Sequence, residues 1–337
     1  MKFDIELLKE LCQASGVSGY EDEVAEIVAK HLTKTCDSVY KDSLGNIIAF
    51  KKGRKTPKEP IMLCAHLDEV GFSVKHINDD GTLDFEQVGM MTSVLPGKKV
   101  LVSDRKIPGV VSSKPVHLSN DRTTACKISD LVIDIGALSK DETQKLDLLG
   151  EYAVFDSEFV FLSDDTVKAK ALDDRIGCAV MIMLSQQELE YDLHFAFTVG
   201  EELGGVGAIA ATNTIKPGIC ILFEGTTASD LAGYADKDKV CKKGNGAVCP
   251  FMDGGTFYDK GLYNKVLALA KENDIPVQTK TKVAGGTDGS RIQRTNIPVK
   301  VVALSLPCRY IHTSSSVAST KDMQSILELA QLLVNSL

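Results

Sequence analysis

The chain has 337 residues, 44% of them hydrophobic, with 38 Lys plus Arg against 46 Asp plus Glu, a net charge of −8. That is enough apolar material for one or two well-buried domains, and the acidic balance argues against a coat for duplex nucleic acid or anionic membrane, which needs a concentrated basic patch. The densest basic run, Lys51-Lys52-Gly53-Arg54-Lys55, is short and sits beside Pro57 and Pro60, as a solvated turn does.

Taken in order, Phe3 to Gln13 and Glu21 to Leu32 carry apolar residues at helical spacing, with the turn Ser15-Gly16-Val17-Ser18-Gly19-Tyr20 between them. The start, Met1-Lys2-Phe3-Asp4, lacks a basic-then-apolar secretory pattern, and no apolar segment reaches membrane-spanning length. The nine cysteines are scattered singly with no Cys-x-x-Cys, which excludes a zinc ribbon and disfavours a disulfide framework. A reducing cytoplasm is the expected compartment. Val39 to Phe50 reads as two strands broken at Asp42-Ser43-Leu44-Gly45-Asn46, and Ile61 to Ala65 as a buried strand that runs into His66-Leu67-Asp68-Glu69.

From residue 71 to 163 the pattern changes to short alternating or β-branched runs, Phe72 to Ile77, Val100 to Val102, Val110-Val111, Leu131 to Ile135 and Ala153 to Phe155, divided by Gly, Pro, Asn and Asp. A small barrel or sandwich is predicted there. Afterwards helices (Ile176 to Leu184, Val206 to Ala211, Gly261 to Glu272, Met323 to Leu337) alternate with strands (His194 to Val199, Ile219 to Phe223, Val299 to Leu304). The predicted architecture is therefore α/β, a mixed, largely parallel central sheet flanked by helices, in which a catalytic domain of residues 1–70 and 164–337 is interrupted by a small inserted β-barrel domain, residues 71–163.

The chemistry gathers where strands end. In an open α/β sheet, ligands bind at the carboxyl ends of the strands, so acids and imidazoles placed there converge. His66 follows one strand, Glu201 and Glu202 a second, Glu224 a third and His312 a fourth, while Asp173 precedes a helix. Acids in a first helical turn read equally as caps that complement the helix dipole. Two adjacent acids at the end of a buried strand are costlier, and call for a cation beside them. His66, Asp173, Glu202, Glu224 and His312 can hold two divalent ions with one carboxylate between them, leaving Glu201 as general base on the shared water and Asp68 to orient His66.

With these motifs the chain resembles the dinuclear metallo-aminopeptidases that include glutamyl aminopeptidase and the tetrahedral aminopeptidases. The resemblance runs through Ala65-His66-Leu67-Asp68-Glu69-Val70-Gly71, Leu131 to Gly136, Ala171-Leu172-Asp173-Asp174-Arg175, Gly200-Glu201-Glu202, Gly285-Gly286-Thr287-Asp288 and Arg309-Tyr310-Ile311-His312. It implies a zinc-exopeptidase-like fold that removes N-terminal residues from peptides with a two-metal-activated water. In it His66 and Glu224 serve one ion, Glu202 and His312 the other, Asp173 bridges, Glu201 is the base and Asp68 the orienting acid. Two divalent ions per subunit are implied, Zn²⁺ or Co²⁺ with Mn²⁺ as a further option, together with a dimer-based homo-oligomer, commonly a hollow tetrahedral dodecamer.

The chain departs from that family at Glu224, where aspartate is usual, and after His312, where Thr313-Ser314-Ser315-Ser316 replaces a run toward glutamate. Arg291 follows Gly-Gly-Thr-Asp and would favour acidic N-terminal residues if it faced the substrate, or be a surface arginine if it did not. Two rival readings are a carboxylate-based glycan hydrolase and a non-catalytic metal-binding assembly protein; an unused acid beside two ions points to an open, catalytic site.

Overall fold

The computed structural model describes residues 1–113, 126–280 and 282–337. Asp4 caps α1 (Ile5–Gln13) by accepting from the Leu7 N–H, which turns Leu7, Leu8, Leu11 and Cys12 inward. Helix α2 (Asp22–Leu32) buries Val24, Ala25, Val28 and Leu32 on one stripe. Strands β1 (Ser38–Lys41) and β2 (Ile47–Lys51) form a hairpin. Its tip holds because Asp42 Oδ1 accepts from the N–H groups of Leu44, Gly45 and Asn46. Strand β3 (Ile61–His66) is buried at every residue, the continuous apolar run expected of a strand covered on both faces.

The chain then leaves for a closed barrel of β4 (Gly71–Ile77), β5 (Leu83–Val88), β6 (Lys99–Val102), β7 (Ile107–Ser113), β8 (Leu131–Asp134) and β9 (Tyr152–Phe155), in the order β4-β5-β8-β7-β6-β9. The short helix α3 (Lys140–Gln144) sits against β4. Phe72 fills the barrel, meeting Phe85 and Phe155 edge to face at 5.1 and 5.3 Å between centroids, a geometry that adds about 0.5–1.5 kcal/mol per pair to burial. Strand β5, which buries Leu83, Phe85 and Val88 between polar residues, adds a strand beyond those read from the sequence. So do β10 (Val160–Ser163) and β11 (Thr166–Ala169), of which β11 lies between β10 and the later β17 (Ser316–Ser319) in a three-stranded sheet.

On the return, α4 (Leu172–Ser185) is buried on nearly every side, as the central helix of a layer is. It packs on β3 and on α1, and on β13 (Ile219–Thr227) and α8 (Thr320–Val334). The remaining elements are β12 (Leu193–Thr198), α5 (Val206–Ile215), β14 (Ala247–Val248), α6 (Lys260–Glu272), β15 (Val277–Gln278), α7 (Gly289–Ile292) and β16 (Lys300–Cys308). The sheet order is β1-β2-β12-β3-β13-β16-β14-β15. Strands β12, β3, β13 and β16 run parallel at its centre, while β2 and β14 join antiparallel, so the sheet is mixed and four carboxyl ends open on one edge.

Candidate metal centre

That edge collects the residues singled out above. His66 is the last residue of β3, Glu201 and Glu202 form the turn after β12, and His312 lies beyond β16. Glu224 is within β13 rather than at its end, because β13 continues to Thr227 alongside Cys308. At the front of α4 the two acids divide the work: both have non-helical backbone angles, and the peptide between them is cis. Asp174 takes the capping duty, its carboxylate accepting from Gly177 N at 3.0 Å and from His66 N at 3.3 Å. Asp173 is thereby turned the other way.

Asp173 stands between the two imidazoles. Its Oδ1 is 3.4 Å from His66 Nε2 and its Oδ2 is 3.4 Å from His312 Nε2. On the first side His66 Nε2 is also 3.7 Å from Glu224 Oε2; on the second, His312 Nε2 is 3.4 Å from Glu202 Oε1. Asp173, Glu202 and His312 bring one ligand atom each within 4.8 Å of one another, and so do His66, Glu224 and Asp174. Asp174 accepts two backbone N–H groups, one on each oxygen, whereas Asp173 accepts one, from Gly225 N to Oδ1 at 2.9 Å, and alone faces both imidazoles.

The imidazoles point by design. His66 Nδ1 lies 3.0 Å from the Asp68 carbonyl and His312 Nδ1 lies 2.7 Å from the Gly89 carbonyl. A carbonyl only accepts, so each Nδ1 carries hydrogen and each Nε2 faces the cluster. The Asp68 carboxylate is farther, 3.4 Å from His66 Nδ1. Its larger task is to accept from Glu201 N and Glu202 N at 3.0 Å each and from Ser18 Oγ at 2.6 Å. One buried acid therefore fixes both adjacent glutamates, which local sequence spacing alone does not reveal.

Charge is out of balance. Asp173, Glu201, Glu202 and Glu224 have no Lys or Arg ion pair among the described residues; only the two imidazoles answer them. Burial pushes the Glu201 carboxyl up to about 8 and Glu202 to about 7, and Glu224 well above its ordinary range. Burial opposes a charged imidazole, yet the neighbouring carboxylates, Asp173 first, raise His312 to about 9 and His66 also well up. The same two histidines overcome burial to hold Asp173 low. Asp288 adds another buried carboxyl, pushed to about 6 by burial; Oδ2 accepts from Thr198 Oγ1 at 2.7 Å and Oδ1 has no hydrogen-bond partner among the described residues. Imidazole and carboxylate donors in two opposed sets, short of positive charge, fit a pair of divalent cations.

The cleft above them encloses about 320 Å³ and is walled by Asp173, Glu201, Glu224 and His312 together with Lys280 and the Gly285-Gly286 turn. Arg291 is not on this wall. It is half-buried on α7 behind the Gly204-Gly205 turn, where a Cβ on Gly205 would stand 2.7 Å from its Cγ. Glu69, adjacent to Asp68 in sequence, faces away: its Oε1 takes Lys170 Nζ at 2.6 Å and Arg175 Nη2 at 3.4 Å. Arg175 also donates to the carbonyls of Leu67 at 2.9 Å, Ala14 at 3.3 Å and Leu11, which ties α1 to the exit of β3.

The chain is similar along its length to known aminopeptidases. The family model for M42 glutamyl aminopeptidase matches residues 45–329. A lysyl aminopeptidase of Pyrococcus furiosus is 32% identical over 346 residues, covering 99% of this chain and 97% of the relative. Among solved structures, an aminopeptidase from Desulfurococcus kamchatkensis superposes with a TM-score of 0.94 at 31% identity, covering 99% of this chain and 94% of that one. The TET1 peptidase of Pyrococcus horikoshii, described as able to assemble into a tetrahedron or a large octahedral shell, gives 0.87 at 33% identity over 99% of each chain.

Proposed function

The chain belongs to the M42 glutamyl aminopeptidase family and is a metal-dependent aminopeptidase, and on that premise we propose that the cluster around Asp173 is its two-metal active site. The observation that carries the reading is the two-sided placement of Asp173, one oxygen toward each imidazole. His66 and Glu224 would hold one divalent ion, Glu202 and His312 the other, with Asp173 shared; Zn²⁺, Co²⁺ and Mn²⁺ all suit such donors. When bound, such a pair supplies Lewis-acid polarisation of a peptide carbonyl and lowers the pKa of water.

The chain's own residues do the rest. Glu201, half-buried on the cleft wall and bearing no ion pair among the described residues, takes a proton from the attacking water and returns it to the departing amine. Asp68 holds the backbone of Glu201 while the Asp68 carbonyl keeps His66 in the tautomer a ligand needs. Glu224, on the same wall, receives the free α-ammonium of the substrate, which restricts cleavage to the first residue. Small peptides are the substrates, and a dimer-based homo-oligomer, up to the dodecamer that a related structure forms, is the assembly that supports this reading.

Measuring metal content and turnover together tests it. Two ions per subunit and an inert but fully loaded Glu201→Gln variant are expected; retained turnover in that variant sinks the role of Glu201. Activity that survives exhaustive chelation would instead favour carboxylate-only cleavage of the glycosidase kind.

A further inference from the structure

Lys280 follows β15 and lies on the wall of the substrate cleft, within reach of the charges of Asp253, Glu224 and Asp173, yet it is 5% exposed. A buried ammonium is costly unless it is paired. Among the described residues it makes one hydrogen bond, from Nζ to the Ala284 carbonyl at 3.3 Å, and no ion pair. Asp253 is also buried in this region, but its Oδ1 accepts from Gly255 N and Thr256 N and its Oδ2 from Tyr258 Oη and Thr287 Oγ1. Gly285 and Gly286 share the wall with Lys280, and a Cβ built on either meets nothing within 4 Å among the described residues. Of the described residues that line the cleft, Lys280 alone is Lys or Arg.

We propose that Lys280 is a specificity-determining residue that receives a carboxylate of the substrate in this cleft. The inference rests on the aminopeptidase reading and adds a substrate class to it. Two carboxylates can answer: the side chain of an acidic first residue, or the C-terminal carboxylate of a very short peptide. A charge-assisted hydrogen bond from a buried ammonium favours either one over its uncharged isostere. The acidic preference expected from Arg291 passes, on this geometry, to Lys280.

The experiment measures kcat/KM of the metal-loaded enzyme on two matched pairs, glutamyl against glutaminyl anilide, and Leu-Gly against Leu-Gly-amide. At least one pair should favour the carboxylate, and the pair that does identifies its source. In Lys280→Met that ratio should fall by about 10- to 100-fold, the range of one hydrogen bond to a charged group, while Lys280→Arg should recover part of it. A wild-type enzyme that turns over all four substrates without regard to charge overturns the inference and leaves the aminopeptidase reading standing; so does an unchanged ratio in Lys280→Met. No release of a first residue from any substrate overturns both.

Discussion

Two buried charged clusters lie on either side of the chain that leaves β3, and they are opposite in kind. Glu69, Lys170 and Arg175 pair within the protein: one acid meets two cations and the spare donors go to backbone carbonyls. Among the described residues Asp173, Glu202 and Glu224 meet only two imidazoles and Glu201 has no ion pair. The first cluster completes itself and is a brace. The second is short of positive charge, and a folded chain tolerates that only where something outside it supplies the difference.

Breaking each cluster should therefore give different symptoms. Glu201→Gln is expected to lower kcat by about 10²- to 10⁴-fold or more while metal content and thermal midpoint hold, since a general base contributes about that much. Glu69→Gln should do the reverse. It strands two buried cations, costs about 3–5 kcal/mol of stability, and shows in chemical denaturation before it shows in catalysis; unchanged stability would mean the brace is idle. Gly89→Ala lies between the two. Gly89 has φ of +72° and an added Cβ would meet Glu202 Oε2 at 2.5 Å, so weaker metal binding is expected, on the order of 10- to 100-fold as for lost orienting partners, read by titrating metal into metal-free protein.

Acidity sharpens the contrast with a smaller effect. Glu201, Glu202 and His312 hold protons to about 8, 7 and 9, above their ordinary values of 4.5, 4.5 and 6.5. The folded, metal-free protein thus binds more protons than the unfolded chain across that interval, and stability must fall as pH rises through it. Its thermal midpoint should drop between about pH 5 and pH 9, and metal loading, which displaces those protons, should flatten the drop. A metal-free protein whose midpoint climbs with pH over this range would contradict the charge imbalance.

Much of the α/β layer is legible in local pattern, because its strands are continuous apolar runs and its helices amphipathic; β3, β12 and α8 need no tertiary information. The rule that ligands gather at strand ends brings His66, Glu202 and His312 to one edge for the same reason. What the pattern hides is tertiary. Asp68 and Glu69 look alike in sequence, and only the fold turns one toward Glu201 and the other toward Arg175. Lys280 sits in a loop with no periodic signal, whereas Arg291, beside a recognisable motif, packs behind Gly205. Strands β10, β11 and β17 are four residues each, β11 and β17 mixing in Ser, Thr and Lys, and are too short to stand out from turns.

The Gly89 carbonyl that holds His312 belongs to the segment just beyond β5, so the barrel reaches into the chemistry of the layer it interrupts. Excising it would not leave a smaller enzyme. It would leave one imidazole unaimed and one wall of the cleft, with Met91 and Val94, missing. A separable unit along the chain is here a shared component in space.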